Sequence, residues 1–94
     1  MTYRHVPYAK IVREGLGVTQ VVLADLLGVC TMTVSKWERG LLEPNAYQYG
    51  LMQAFSKALR RDKEVGRKAE SALMQEGLGQ AMYVLLHTAY RRTR

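Results

Sequence analysis

Apolar residues along this chain recur at intervals of three and four positions, which is the spacing of an α-helix. In the first segment Tyr8, Ile11 and Val12 follow this interval after Pro7, and the pattern ends at Gly15 and Gly17. No stretch alternates polar and apolar residues as a half-buried strand does, and only 2 prolines interrupt the chain. The pattern therefore predicts an all-α protein.

The next two helical patterns are separated by only a few residues. Thr19 suits the N-cap of the first, which ends at Gly28, a residue that readily adopts the left-handed conformation of a helix C-terminus. The second begins after Cys30 and ends at Gly40. Two helices joined by so short a turn cross steeply, so the second protrudes and the first supports it from behind. Residues 20–39 are therefore predicted to form a helix-turn-helix.

The rest of the chain continues the helical pattern after Asn45, with a break at Gly77 and Gly79. A chain this short buries only enough surface for one compact domain. We therefore expect a single bundle of roughly five to six helices. Within it, residues 1–62 are expected to form the helix-turn-helix domain, and residues 63–94 a helical extension packed on it.

The segment LGVTQVVLADLLGVCTMTVSKWERGLLEP resembles the helix-turn-helix of lambdoid phage repressors, Cro proteins and their Xre-type bacterial relatives. The positions that carry the likeness are Gln20, Leu23, Ala24, Gly28, Val34, Glu38, Arg39, Gly40 and Pro44. The resemblance implies a two-fold dimer on an operator, with residues 31–39 as the reading helix. The implied function is that of a sequence-specific regulator of transcription that binds double-stranded DNA, acting as a homodimeric repressor on an inverted repeat.

The outward face of the reading helix is predicted to contact base edges through Thr31, Met32, Ser35 and Lys36. Lys36 can donate to O6 and N7 of guanine, and the two hydroxyls can pair with several bases. Met32 suits a contact with a thymine methyl group, although an ordinary surface position is the alternative. Val34 and Trp37 lie on the opposite face and are expected to be core.

Contacts with the sugar-phosphate backbone are expected from Arg13, Thr19, Gln20, Thr33, Arg39 and Asn45. In the family that the chain resembles, a glutamine at the position of Gln20 holds a phosphate and braces a side chain of the reading helix. The same resemblance implies a structural ion pair between Arg13 and Glu38. The loop at residues 41–47 lacks the bases that many relatives place against phosphate, and backbone amides after Asn45 could substitute.

A formal net charge of +6 favours polyanionic partners without identifying one. Six bases fall close together, at Lys57, Arg60, Arg61, Lys63, Arg67 and Lys68. A solvated helix face and a surface for DNA phosphates are both consistent with this cluster.

The last predicted helix is apolar over more than one face, with Leu78, Met82, Tyr83, Leu85, Leu86, Ala89 and Tyr90. We interpret these residues as the dimerisation element. Packing on the same subunit is the alternative, and Val22 and Leu26 would offer it a docking surface.

The sequence excludes several kinds of chemistry. Cys30 is the single cysteine, so no internal disulfide is possible, and His5 and His87 lack the cysteines or paired carboxylates of a metal site. Neither a nucleotide-binding glycine loop nor a nucleophile elbow occurs. We expect no enzyme activity, no metal and no cofactor. Cys30 stands where the family usually has a Ser or Thr cap, and it is either a redox switch or an inert small residue.

Residues 1–10 lack the apolar core of a signal peptide, and no apolar run is long enough to span a bilayer. We therefore expect a cytoplasmic protein with no membrane partner. Two further functions remain open. The chain could be an antitoxin that binds a toxin and autoregulates its operon, or an interaction module that uses the same fold for protein contacts without binding DNA.

Overall fold

The computed structural model describes residues 6–92, and this part of the chain contains six α-helices and no strand. The helices are α1 (Tyr8–Leu16), α2 (Gln20–Leu27), α3 (Thr31–Glu38), α4 (Ala46–Arg61), α5 (Val65–Glu76) and α6 (Leu78–Tyr90). The predicted all-α bundle of five to six helices is confirmed. None of these helices is both long and apolar enough to cross a membrane.

The ends of α2 and α3 follow from local residues. Thr19 Oγ1 accepts a hydrogen bond from the backbone N–H of Val22 at 3.2 Å, which satisfies one free donor at the start of α2. Gly28 ends α2 with φ +70°, in the left-handed region. Cys30 precedes α3 but makes no capping hydrogen bond, so α3 starts without the stabilisation that α2 has.

A capping box starts α4. The backbone N–H of Gln48 donates to Asn45 Oδ1 at 2.8 Å, and the backbone N–H of Asn45 donates to Gln48 Oε1 at 2.8 Å. This reciprocal pair fixes the position at which the chain turns from the loop after α3 into α4.

All six helices contribute to one hydrophobic core. Its largest fully buried side chains are Phe55, Leu23, Met52, Leu85, Val12, Val34 and Val65. Helix α6 packs against α5, α4 and α2, and both Val22 and Leu26 of α2 are buried. Residues 63–92 therefore share the core of the preceding helices.

Two of the residues assigned to dimerisation belong to this core. Leu85 and Ala89 are each 0% exposed within a single subunit, as is Ala81 on the same face of α6. Their assignment to an interface was therefore wrong, because no second copy can reach them in the folded chain. For this face of α6, packing on the same subunit is the correct alternative.

A close approach between α5 and α1 occurs at Gly66. A Cβ atom at this position would lie 1.9 Å from the carbonyl oxygen of Leu16, so Gly66→Ala forces the two helices apart. We expect this variant to lose about 1–3 kcal/mol in free energy of unfolding. At Gly50, also inside a helix, a Cβ would meet nothing within 4 Å. Gly50→Ala should therefore gain up to about 1 kcal/mol. Urea unfolding followed by circular dichroism compares the two, and a Gly66→Ala variant as stable as the parent would contradict the close approach.

Candidate nucleic-acid interface

Helix α3 is buried along one side only. Val34 and Trp37 are its only buried side chains, and the helix packs against α1 and α2. On the opposite side, Met32 is 63% exposed. Lys36 is also exposed. The other two residues predicted to contact bases, Thr31 and Ser35, are half-buried. An exposed methionine among polar side chains has no packing role in the subunit.

One carboxylate ties three helices together behind this face. Arg13 of α1 donates from Nε to Glu38 Oε2 at 2.6 Å and from Nη2 to Oε1 at 3.0 Å. Gln20 of α2 donates from Nε2 to the same Oε1 at 3.2 Å. The pair expected between Arg13 and Glu38 is therefore present, in bidentate form. We call these three residues the Glu38 clamp.

The Glu38 clamp is shielded from solvent. The side chain of Glu38 is 6% exposed and that of Arg13 is 19% exposed. Arg13 Nη1 also donates to the carbonyl oxygen of Val18 at 3.2 Å. The hydrogen bond to Glu38 raises the pKa of Arg13 above its ordinary value, against the opposing effect of burial. This clamp fixes the end of α3 relative to the start of α2.

The side chains expected to contact phosphate differ in how many of their hydrogen-bond donors remain free for an outside acceptor. Arg13 and Gln20 are held by Glu38, so each has only part of its N–H groups left for an outside acceptor. Arg39 is exposed, and its Nε donates to the carbonyl oxygen of Ser35 at 3.4 Å. Asn45 uses its Oδ1 in the cap of α4. Their contacts with DNA stay predictions.

The two remaining candidates for phosphate contacts, Thr19 and Thr33, both carry hydroxyl groups near helix starts. Thr19 Oγ1 accepts a capping bond, which leaves its own hydrogen free to donate. Thr33 Oγ1 lies 3.2 Å from Cys30 Sγ. That contact lowers the pKa of the Cys30 thiol, which is exposed on the surface. The interpretation of Cys30 as a redox switch stays a prediction.

The six-base cluster is divided by the end of α4. Arg67 Nε lies 2.9 Å from Glu64 Oε1, and Lys68 Nζ lies 2.6 Å from Asp62 Oδ2. Lys68 also lowers the pKa of the Asp62 carboxyl. The bases on α4 have no ion pair in residues 6–92. Two of the six bases are therefore paired within the subunit, and a contact of the cluster with DNA phosphates stays a prediction.

A surface that the sequence analysis did not identify lies beside the end of α3. An apolar cavity of about 830 Å³ opens between the start of α1 and the loop after α3. Leu41 and Leu42 line it and are both exposed, and the buried Trp37 lines it as well. The only sequence signal was the leucine pair directly after Gly40, in a loop noted above for its lack of bases.

Within residues 6–92, no three side chains of His, Cys, Asp or Glu come together closely enough to hold a metal ion. His5 lies outside the described residues. Comparison of the chain with models of protein families, with curated proteins and with solved structures found no match.

Proposed function

We propose that this protein is a sequence-specific regulator of transcription that binds double-stranded DNA and reads base edges with the outward face of α3. The observation that carries the proposal is the one-sided burial of α3, in which Val34 and Trp37 face the core while Met32 and Lys36 face solvent. A helix held in this way can enter the major groove, which accommodates one α-helix. The resemblance of residues 16–44 to phage repressors supports the same assignment.

Electrostatics at α3 also support a DNA partner. Glu38 is the only acidic residue on α3, and a free carboxylate there would repel phosphates. Arg13 neutralises this carboxylate, and the side chain of Glu38 is largely shielded from solvent. The outward face then presents one positive charge, on Lys36, together with hydroxyl groups and the thioether of Met32. These groups match the donors, acceptors and methyl groups of base edges.

Two copies bound to an inverted repeat complete the proposed repressor. Of the residues assigned to dimerisation, five keep exposed or half-exposed side chains: Leu78, Met82, Tyr83, Leu86 and Tyr90. Tyr83 and Leu86 lie three residues apart on the outward flank of α6, so a second copy could cover them together. Met82 packs partly against the core, and Tyr90 contacts Lys57 of its own subunit. Each α3 would read one half-site, with half-site centres about 34 Å apart. A cytoplasmic location follows from this role.

An antitoxin is the second candidate function, since apolar surface remains for a protein partner. Leu41 and Leu42 beside the 830 Å³ cavity are exposed, and Tyr83 on α6 is exposed although it stacks on His87. In that case DNA binding would serve autoregulation. A toxin that co-purifies with the chain and binds it at equal stoichiometry would favour this candidate.

Selection of duplexes from a random pool tests the proposed function directly. A two-fold symmetric consensus, with half-sites one helical turn apart, is the expected result. Enrichment of no sequence over the starting pool would contradict base reading by α3.

Gln20 is expected to affect affinity rather than sequence preference. Gln20→Ala removes a phosphate contact at the start of α2 and the bond to Glu38, so operator affinity should fall about tenfold. The selected consensus should stay the same. Gln75→Ala, an exposed change on α5, is the matched control and should leave affinity unchanged. A changed consensus with Gln20→Ala would contradict the phosphate role.

A further inference from the structure

The outer face of α4 carries a groove that the proposed DNA contacts do not use. It has a volume of about 550 Å³ and is lined by Tyr8, Gln53, Ser56, Lys57, Arg60 and Tyr90. Gly50 lies in the floor of the groove. Pockets of this volume suit small molecules. We call this feature the α4 groove.

Every charge that lines the α4 groove is positive. Lys57 and Arg60 are one helical turn apart, and like charges at this spacing destabilise a helix. No carboxylate in residues 6–92 forms an ion pair with either of them. By contrast, Arg67 and Lys68, further along the chain, each have an acidic partner. The two groove cations therefore have no carboxylate partner among the described residues and are available to an anion.

The walls of the α4 groove are held in place by contacts within the subunit. Lys57 Nζ lies 4.7 Å from the centroid of the Tyr90 ring, in a cation–π contact. Arg61 donates to the carbonyl oxygen of Arg91, which ties the end of α6 to α4. At the other end, the Tyr8 hydroxyl lies 2.9 Å from Ser56 Oγ. One of these two hydroxyls donates to the other, so the second keeps a hydrogen for a ligand.

Gly50 keeps the floor of the α4 groove open. Glycine is the least favourable residue other than proline inside a helix. No packing contact requires it here, because a Cβ at this position would meet nothing within 4 Å. A larger side chain would instead project into the groove. A ligand that occupies the space beside Gly50 would explain why a glycine stands at this position.

We propose that the α4 groove binds a small molecule that carries a phosphate group. Lys57 and Arg60 supply the two positive charges that a phosphate dianion requires, and Gln53 with the hydroxyl pair supplies neutral donors for its oxygens. The exposed ring of Tyr90 provides an apolar edge for the rest of the molecule. Along α4, Arg60 lies about 22 Å from Asn45, the residue next to the loop after α3, at 1.5 Å per residue. The charged end of the groove is thus at the far end of α4 from Asn45, whereas Gly50 lies nearer to the start of the helix.

The test uses the whole chain without DNA. Pyrophosphate and inorganic phosphate are titrated at constant ionic strength, with binding followed by amide chemical shifts in nuclear magnetic resonance. We expect saturable binding at one site per chain with a dissociation constant of about 1–10 mM or tighter. Lys57→Gln and Arg60→Gln should each weaken it about tenfold or more. Gly50→Leu, which fills the floor, should weaken it as well.

Lys63→Gln is the matched control, because it removes an exposed base outside the groove and breaks no ion pair of the described residues. It should leave pyrophosphate affinity unchanged. A titration that does not saturate, or equal weakening by Lys63→Gln, would overturn the proposal in favour of diffuse attraction. So would a result in which the Lys57 and Arg60 variants lower affinity for a random duplex but not for pyrophosphate, since the groove would then be a DNA contact.

Discussion

Replacement of Glu38 by Ala should lower the free energy of unfolding by about 3 kcal/mol and abolish specific DNA binding. The change leaves the guanidinium of Arg13 and the amide of Gln20 without their shared acceptor in a largely buried setting. It also releases the end of α3 from α1 and α2, so the reading face loses its fixed position. Urea unfolding followed by circular dichroism gives the stability, and fluorescence anisotropy on the selected duplex gives the affinity.

Glu64→Ala is the control for this result. It breaks the ion pair with Arg67, in which both side chains are well exposed, and such pairs contribute about 0–1 kcal/mol. Replacing the two charged residues of the clamp together, Arg13→Met with Glu38→Leu, should recover part of the stability because no charge is then left unpaired. If Glu38→Ala and Glu64→Ala were equally stable, the Glu38 clamp would not hold the helices together.

Leu85→Asp should leave the chain largely unfolded at room temperature. Leu85 is 0% exposed, so the substitution removes a core side chain and places an unpaired carboxylate among apolar groups. We expect a loss of more than about 4 kcal/mol, a large part of the 5–15 kcal/mol that stabilises a typical domain. Far-ultraviolet circular dichroism and urea unfolding measure the effect. A fully helical, cooperative Leu85→Asp variant would contradict the placement of α6 in the core.

Tyr83→Asp separates core packing from dimerisation on the same helix. Tyr83 is exposed and stacks on His87 of its own helix with ring centroids 5.1 Å apart, so its replacement should leave the fold intact. If the outward flank of α6 is the two-fold interface, sedimentation should show a folded monomer with weaker operator binding. A variant that remains dimeric would place the interface elsewhere on the subunit.

Helix ends were predictable because single residues determine them. Thr19 caps α2, and Gly28 and Gly40 take positive φ angles where the periodic patterns end. The pairing of Arg13 with Glu38 was also expected, but from a resemblance rather than from spacing. Residues 25 positions apart give no local signal that they will meet.

The sequence pattern of α6 could not show which neighbour buries each of its apolar side chains. Periodicity shows that Leu85 and Leu86 are apolar, but not whether a neighbouring helix or a second copy covers each of them. Leu85 and Ala89 proved to face the subunit core, whereas Leu86 lies on the outward flank. That distinction depends on where α4 and α5 lie, which is a tertiary property.

For a similar reason, the sequence could not show which bases of the cluster at residues 57–68 form ion pairs. The end of α4 at Arg61 allows Asp62 to reach Lys68, a separation that matches no pair spacing on a continuous helix. The α4 groove likewise forms because Tyr8 and Tyr90, which are distant in sequence, both lie beside α4. Composition gave the net charge, but the fold decides which bases remain unpaired.

Base reading by α3 is the central claim, and one binding experiment tests it most directly. The affinities of the parent chain, Met32→Ala and Lys36→Ala are measured on the selected inverted repeat and on random duplex DNA at one salt concentration. We expect Met32→Ala and Lys36→Ala each to lose about 1–3 kcal/mol on the selected repeat and clearly less on random DNA. Lys63→Ala, an exposed base away from α3, should lose equally little on both duplexes. Equal losses on both duplexes for the two α3 variants would contradict base reading by this helix.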